Sequence, residues 1–142
     1  MKSLNIKKFI EVGFQKEGIH KYPAAATDPK LKTGKWDDVS FLANDHSHIF
    51  HFWVRISVDH SDRDIEFIQF KRWLEYKVSK RLDLNYRSCE MLAEELAEVI
   101  LKRYPGRELE IRISEDGHQG AVLQFTEEEV EEEVSKCSHV SC

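Results

Sequence analysis

Two stretches in the first half of the chain alternate hydrophobic and polar residues, which is the pattern of strands with one buried face. In the first stretch the apolar positions are Leu4, Ile6, Ile10, Val12 and Phe14, and Lys8 interrupts them. In the second, one face carries His48, Phe50, Phe52, Val54, Ile56 and Val58, and the other carries His51, Trp53 and Arg55. The pattern predicts two strands separated by a long loop from about Gln15 to Asn44. Loops of this length are commonly lids or binding loops, or they are disordered.

The apolar spacing then changes to that of helices. A first helical stripe runs through Phe67, Phe70, Lys71, Leu74 and Val78 and ends near Arg81. Ser88 is a candidate N-cap for a second helix, whose apolar face is Leu92, Leu96, Val99 and Ile100 and which Pro105-Gly106 ends. Leu109, Ile111 and Ile113 alternate again, Asp116-Gly117 supplies a turn, and residues 120–125 form a last strand. The predicted class is α+β, with the order strand, strand, helix, helix, strand, strand.

The length of 142 residues fits a single domain, which we place at residues 1–126. Residues 127–142 form an acidic tail, predicted as a short helix or as disordered chain. Its six glutamates and one lysine account for the whole net charge of −5. The body is therefore electrically balanced, which disfavours binding to a nucleic-acid polymer.

The cellular compartment follows from the apolar content and the cysteines. No apolar stretch approaches the roughly 20 residues that cross a bilayer, so no membrane partner is expected. The three cysteines are an odd number, and two of them lie in the last six residues, so a disulfide framework is not expected. A cytoplasmic location is the simplest expectation.

A histidine pair is the strongest candidate for chemistry. His46 and His48 are two residues apart on an extended strand, so their side chains point to the same face. Together with His20 they could hold a metal ion and leave one coordination position open. The alternative is a structural or solvent-facing pair. Five lysines precede the pair and favour either a small anionic ligand or a solvated loop: Lys16, Lys21, Lys30, Lys32 and Lys35.

From Phe14 to Phe125, the order of elements and the motifs resemble the tunnelling fold of the 6-pyruvoyl-tetrahydropterin synthase and 6-carboxytetrahydropterin synthase family. The family's zinc-binding histidines map onto His20, His46 and His48, with Ser47 in place of a glycine. Its Asp-Phe-x-x-Leu-Lys helix opening resembles residues 66–71. Its Pro-Thr-x-Glu opening of the second helix resembles Arg87-Ser88-Cys89-Glu90, and its ring-anchoring glutamate resembles Glu115. The resemblance implies a zinc cofactor and ligand contacts from Glu115, Ser88, Cys89 and Glu90.

Two positions depart from the family pattern. The catalytic Cys or Glu of the family corresponds to Leu42, and its Asp-His pair corresponds to Asp83-Leu84. Leucine can neither accept nor deliver a proton, so the usual acid/base relay cannot run through these positions. Cys89 could serve as a substitute nucleophile, but a small packed residue at a helix start is the favoured interpretation. Whether the chain is an enzyme is left open at this point.

Three functions remain in competition. The favoured one is a catalytically altered family member that binds a purine-, pterin- or nucleotide-like molecule in a pocket between subunits. Because the chain is also similar to small proteins common in bacteriophage genomes, a specific form is a phage sponge that sequesters a host nucleotide immune signal. The second is a zinc-dependent 6-pyruvoyl- or 6-carboxytetrahydropterin synthase-like lyase. The third is a purely structural interaction protein. The resemblance also implies an oligomeric barrel, as a trimer-based hexamer or a smaller ring.

Overall fold

The computed structural model of the chain describes residues 5–81 and 87–126, with the backbone alone at positions 20, 80 and 81. The predictions for Leu4, for Asp83-Leu84 and for the acidic tail at 127–142 lie outside the described residues. None of the helices in the described residues is long and apolar enough to cross a membrane.

A four-stranded antiparallel sheet and two α-helices make up the described chain, which confirms the α+β class. The strands are β1 (Lys8–His20), β2 (His46–Val58), β3 (Leu109–Glu115) and β4 (Gln119–Phe125), and they lie side by side in chain order. The helices are α1 (Phe67–Arg81) and α2 (Cys89–Arg103). Because the sheet is open, β1 and β4 form its two edges.

The prediction of a loop starting at Gln15 is wrong, because β1 continues to His20. Its register with β2 is unbroken from Lys8 opposite Val58 to His20 opposite His46. Beyond Phe14, the positions of β1 that share the apolar face are Lys16 and Gly18. The hydrophobic alternation therefore fades while the backbone pairing continues, and the pattern alone could not detect these six residues.

The core lies between one face of the sheet and both helices. Its sheet side consists of alternate residues of β1, β2 and β3, including stacked Phe14 and Phe52 rings with centroids 4.9 Å apart. The helices contribute Phe70, Leu74, Val78, Leu92, Leu96 and Ile100. Phe67 and Lys71 were placed in the helical stripe wrongly, since both are exposed. Ile65, just before α1, is buried in the core instead.

The segment between β1 and β2 folds on itself. It contains two short 3-10 helices, Pro23–Ala26 and Ser40–Ala43. The Tyr22 N–H donates to the Leu42 carbonyl at 2.6 Å, and Ala25 is fully buried. Residues 21–45 are thereby held at the end of the sheet where β1 finishes and β2 begins.

Candidate functional site

A cleft of about 510 Å³ opens where β1 and β3 end and where β2, β4 and α2 begin. This volume is in the range of small-molecule sites. Its lining includes all four residues predicted to bind a ligand, Glu115, Ser88, Cys89 and Glu90. It also includes His46, one of the three predicted zinc ligands. Residues far apart in the sequence are thus brought to one place.

The strand register explains this convergence. Phe50 of β2 is opposite Glu115 of β3, and Glu115 is opposite Gln119 of β4. His46 and His48 share the face of Phe50, because side chains two residues apart point the same way along a strand. The helix-covered face is therefore apolar over most of its length and becomes polar at the cleft.

Oxygen acceptors fix the orientation of both histidine rings. His46 Nδ1 lies 2.7 Å from the carbonyl oxygen of Asn44, and His48 Nδ1 lies 2.6 Å from Oδ2 of Asp116. Because an oxygen acceptor needs a donor, each Nδ1 carries a proton, and each Nε2 of a neutral ring then presents a lone pair. Both Nε2 atoms are buried, and the two rings meet edge to face with centroids 4.7 Å apart.

This donor set suits a metal ion such as zinc. Metal-binding histidines usually donate their second ring N–H to a carbonyl or carboxylate, as both do here. The third predicted ligand, His20, pairs through its backbone with His46, and its side chain lies outside the description. Among the side chains that are described, no group of three or more His, Cys, Asp or Glu is arranged to hold a metal. The three-histidine zinc site therefore stays a prediction.

Asp116 contacts the histidine pair, which the sequence did not indicate. Its Oδ1 accepts from the Ile49 N–H at 2.9 Å, and its own N–H donates to the Ile49 carbonyl at 2.8 Å. The hydrogen bond from His48, followed by that from Ile49, lowers the pKa of its carboxyl. The sequence indicated only a turn, and Asp116 and Gly117 indeed have φ of 56° and 75°. Only the register shows that this turn reaches His48.

Glu115 lines the cleft and lies beside His48. Its Oε2 is 3.6 Å from His48 Nε2, and its side chain is largely buried. The predicted ring anchor and a predicted zinc ligand are therefore neighbours.

The start of α2 forms another wall of the cleft. Ser88 is the N-cap as predicted, because its Oγ accepts from the Met91 N–H at 3.1 Å. Cys89 is only 6% exposed, and burial, reinforced by the charges of Glu115 and Glu90, raises the pKa of its thiol to about 12. The thiolate is the nucleophilic form of cysteine, so this environment favours the packing role over the nucleophilic one.

Other lining residues were not predicted as ligand contacts. They include Tyr22, Arg87 and Gln119. Lys21 is the only member of the lysine group on the described lining, while Lys16 donates to the Val78 carbonyl of α1 at 3.2 Å. Leu42 also lines the cleft and contributes an apolar side chain to it. Arg87 forms an ion pair with Glu95 of α2.

Neither a comparison with protein-family models nor a comparison with curated proteins finds a match.

Proposed function

We propose that the protein is a binding module for a small planar heterocycle of the purine or pterin class. The observation that carries this proposal is the Glu115 carboxylate, largely buried in a cleft of ligand size beside the start of α2. A carboxylate can accept paired N–H bonds from a 2-amino-4-oxo ring edge, and charge-assisted bonds of this kind select that edge.

The ligand of this cleft carries an anionic substituent. Lys21 and Arg87 line the same cleft, and the N-terminal end of α2 adds a partial positive charge. These groups suit a phosphate or a carboxylate attached to the ring. Because Glu90 and Glu115 line the cleft as well, the anionic group would have to lie on the side of Lys21 and Arg87, where it would share them with Asp45 and Glu95.

Leu42 departs from the family pattern on the cleft wall, because its hydrocarbon side chain can neither accept nor deliver a proton. The family's usual acid/base relay therefore cannot run through this position, which favours binding over the family's usual reaction. Sequestration of a nucleotide signal, as in a phage sponge directed against host immunity, is the specific form that we favour. Its support is the family resemblance together with the apolar Leu42 wall.

Calorimetry tests the binding proposal directly. The ligand panel contains guanine and adenine nucleotides, cyclic dinucleotides, cyclic ADP-ribose isomers and pterins. We expect Glu115→Gln to weaken binding of the best ligand by roughly 10- to 100-fold, because a charge-assisted pair is lost. Glu110→Gln is the matched control, since Glu110 lies on the same strand but on the opposite face. Absence of binding to the whole panel, or equal losses in both variants, would contradict the proposal.

A zinc-dependent pterin lyase is the second candidate, and the orientation of His46 and His48 favours it. The residues that would hold zinc are His46, His48 and the predicted His20, and the ion would polarise a substrate oxygen. Glu115 would orient the ring. Plasma mass spectrometry of protein purified without added metal should give about one zinc per chain, lost in His46→Ala. Unchanged dihydroneopterin triphosphate after incubation with fully metallated protein would count against the lyase.

The resemblance further supports a tunnelling fold in which several copies close their sheets into a barrel. Both edges of the open sheet, β1 and β4, need pairing or covering, and a ring of copies would provide it. We expect a trimer-based hexamer or a smaller ring. Native mass spectrometry of the full chain measures the stoichiometry.

A further inference from the structure

A second cleft, of about 310 Å³, lies between the two helices. The Arg103 guanidinium lies over the Trp73 ring, 4.6 Å from its centroid, so a cation and the indole are held together there. We call the lining of this cleft the basic groove; it consists of Trp73, Lys77, Val99, Lys102 and Arg103. It shares no residue with the lining of the candidate site.

The basic groove has a surplus of positive charge. Among the described residues, its lining contains three cations and no carboxylate. Two glutamates of α2 lie one turn before the groove, Glu95 before Val99 and Glu98 before Lys102. Glu95 is already paired with Arg87, so Glu98 is left to offset three cations. A complementary partner is therefore acidic and carries an apolar group for the indole ring.

Other cations of the described chain are offset by carboxylates next to them. Arg63 pairs with Asp62, and Arg107 pairs with both Asp59 and Asp64. Such surfaces have little attraction left for a further anion. The basic groove is different because its cations lie together without a lining carboxylate.

The acidic tail leaves the described chain at the end of the molecule where the groove lies. Strand β4 ends at Phe125, opposite Leu109 at the start of β3, and α2 ends at Arg103, six residues before Leu109. Helix α2 packs over β3 and β4. The seven residues 127–133 span about 23 Å when extended, roughly twice the diameter of a helix. This length is sufficient to reach the groove over the end of α2.

The sequence of the tail is complementary to the groove. Residues 127–133 are six glutamates around Val130. The glutamates supply partners for the three cations, and Val130 supplies an apolar contact for Trp73. The earlier turns of α2 repel the tail because they carry glutamates themselves. These are Glu90, Glu94, Glu95 and Glu98. The last turn of α2, with Lys102 and Arg103, is thus the part of this helix that attracts the tail.

We propose that the acidic tail docks in the basic groove of its own chain. Docking covers the Trp73 indole and links the end of α2 to α1. Single ion pairs at exposed sites are weak and are screened by salt, so the contact acts through several pairs together and is reversible. The proposal does not rest on the proposed function, because no residue of the groove lines the candidate site.

Carbodiimide coupling of the full chain tests the docking, because this reagent joins a lysine amine to a carboxylate in direct contact. Mass spectrometry of the digested protein identifies the coupled peptides. We expect Lys77 and Lys102 to couple to glutamates of the tail roughly tenfold more often than Lys71, an exposed lysine of α1 outside the groove. Coupling of Lys71 to Glu75, one turn away, shows that the Lys71 amine reacts.

Charge reversal at Arg103 gives the matched comparison. Arg103→Glu keeps both lysines of the groove and should lower their coupling to the tail by roughly tenfold, since one attraction becomes a repulsion. Sodium chloride at about 1 M should act in the same direction, because exposed charges are then screened beyond about 3 Å. Arg72→Glu makes the same change at an exposed position of α1 outside the groove and should leave the coupling unchanged.

Isotope labelling shows whether the contact forms within one chain. In a mixture of protein labelled with nitrogen-15 and unlabelled protein, docking within one chain gives coupled peptides that are both labelled or both unlabelled. Mixed pairs would place the tail on a second copy and overturn the proposal. Coupling of Lys71 to the tail at the level of Lys77 and Lys102, or equal losses in Arg103→Glu and Arg72→Glu, would also overturn it, since the tail would then follow overall charge.

Discussion

His48 shows how a single side chain acquires its chemistry from residues that the sequence does not associate with it. Its Nδ1 contacts Asp116, and its Nε2 faces Glu115, the preceding residue of the same hairpin. The spacing of His46 and His48 was enough to predict a shared face. The carboxylates on either side of His48 depend on strand register across 68 residues, which no local pattern contains.

Asp116→Asn should weaken zinc binding by about 10- to 100-fold, because Asp116 holds His48 with Nε2 directed to the cleft. Competition with a chromophoric chelator measures the affinity. Asp62→Asn is the control, since Asp62 is an exposed carboxylate beyond the opposite end of β2. In the metal-free parent protein, nitrogen NMR should show His48 with its proton on Nδ1. In Asp116→Asn this preference for one tautomer should be lost. An unchanged tautomer and an unchanged affinity would remove this role from Asp116.

Cys89 should react with iodoacetamide very slowly at neutral pH. Its thiol is buried and its pKa is raised to about 12, so almost no thiolate is present at pH 7. A Cys137→Ser/Cys142→Ser variant leaves Cys89 as the only cysteine. Alkylation followed by mass spectrometry should be slow at pH 7 and should accelerate steeply as the pH rises. Rapid labelling at pH 7 would restore Cys89 as a candidate nucleophile.

At the scale of secondary structure, elements with a strong apolar period were predictable and those without one were not. The bounds of α1 and α2 and the core positions of β2 follow the period of their apolar residues. The last six residues of β1 were missed because Lys16 and Gly18 occupy inward-facing positions near the cleft. The apolar period was therefore lost at the end of β1, where the strand reaches the candidate site.

Ser88 both caps α2 and lines the cleft, so it belongs to the candidate site and also stabilises the helix. Ser88→Ala should lower the free energy of unfolding by about 1 kcal/mol, since the Met91 N–H loses its acceptor. Ser79→Ala, at an exposed position inside α1, is the control and should be neutral or slightly stabilising. Urea unfolding of both variants gives the comparison. Equal changes in the free energy of unfolding for the two substitutions would show that the hydrogen bond from the Met91 N–H to Ser88 does not stabilise α2.

At the scale of the whole molecule, the sequence predicted the layers of the fold and five residues of the cleft lining, but not the shape of the cleft. Glu115, His46 and the start of α2 were indicated by residue type and by family order. Tyr22 gave no signal, and Arg87 appeared only as part of the second-helix motif and not as a ligand contact. Their place in the lining depends on how the segment after β1 folds and where α2 begins. The exposure of Trp36 is likewise a property of that folded segment.

Carboxylates that close loops at both ends of the sheet should make the molecule less stable in acid. Side-chain and backbone hydrogen bonds from Ser40, then the Gly34 N–H, lower the pKa of Asp38 to about 2. The Arg107 guanidinium, whose Nη1 lies 2.7 Å from Oδ2, is the main cause of the lowered pKa of Asp64. A pKa that is lower in the folded chain than the unfolded value of about 3.9 means that the unfolded state binds more protons as the pH falls. The stabilisation is therefore fully present above about pH 5 and is lost towards pH 2.

Asp38→Asn separates the contribution of Asp38 to this pH dependence from that of Asp64. The variant should be less stable than the parent at pH 7, and its stability should change less between pH 5 and pH 2.5, because one lowered carboxyl no longer titrates. Urea unfolding across this range measures both effects, and Asp62→Asn, at an exposed position beside Arg63, serves as the control. If the variant lost stability in acid as steeply as the parent, the acid sensitivity would lie elsewhere, with the Asp64–Arg107 pair as the next group to test. If instead its slope were shallower, the hydrogen bonds that Asp38 accepts from Gly34 and Ser40 would account for this part of the acid sensitivity.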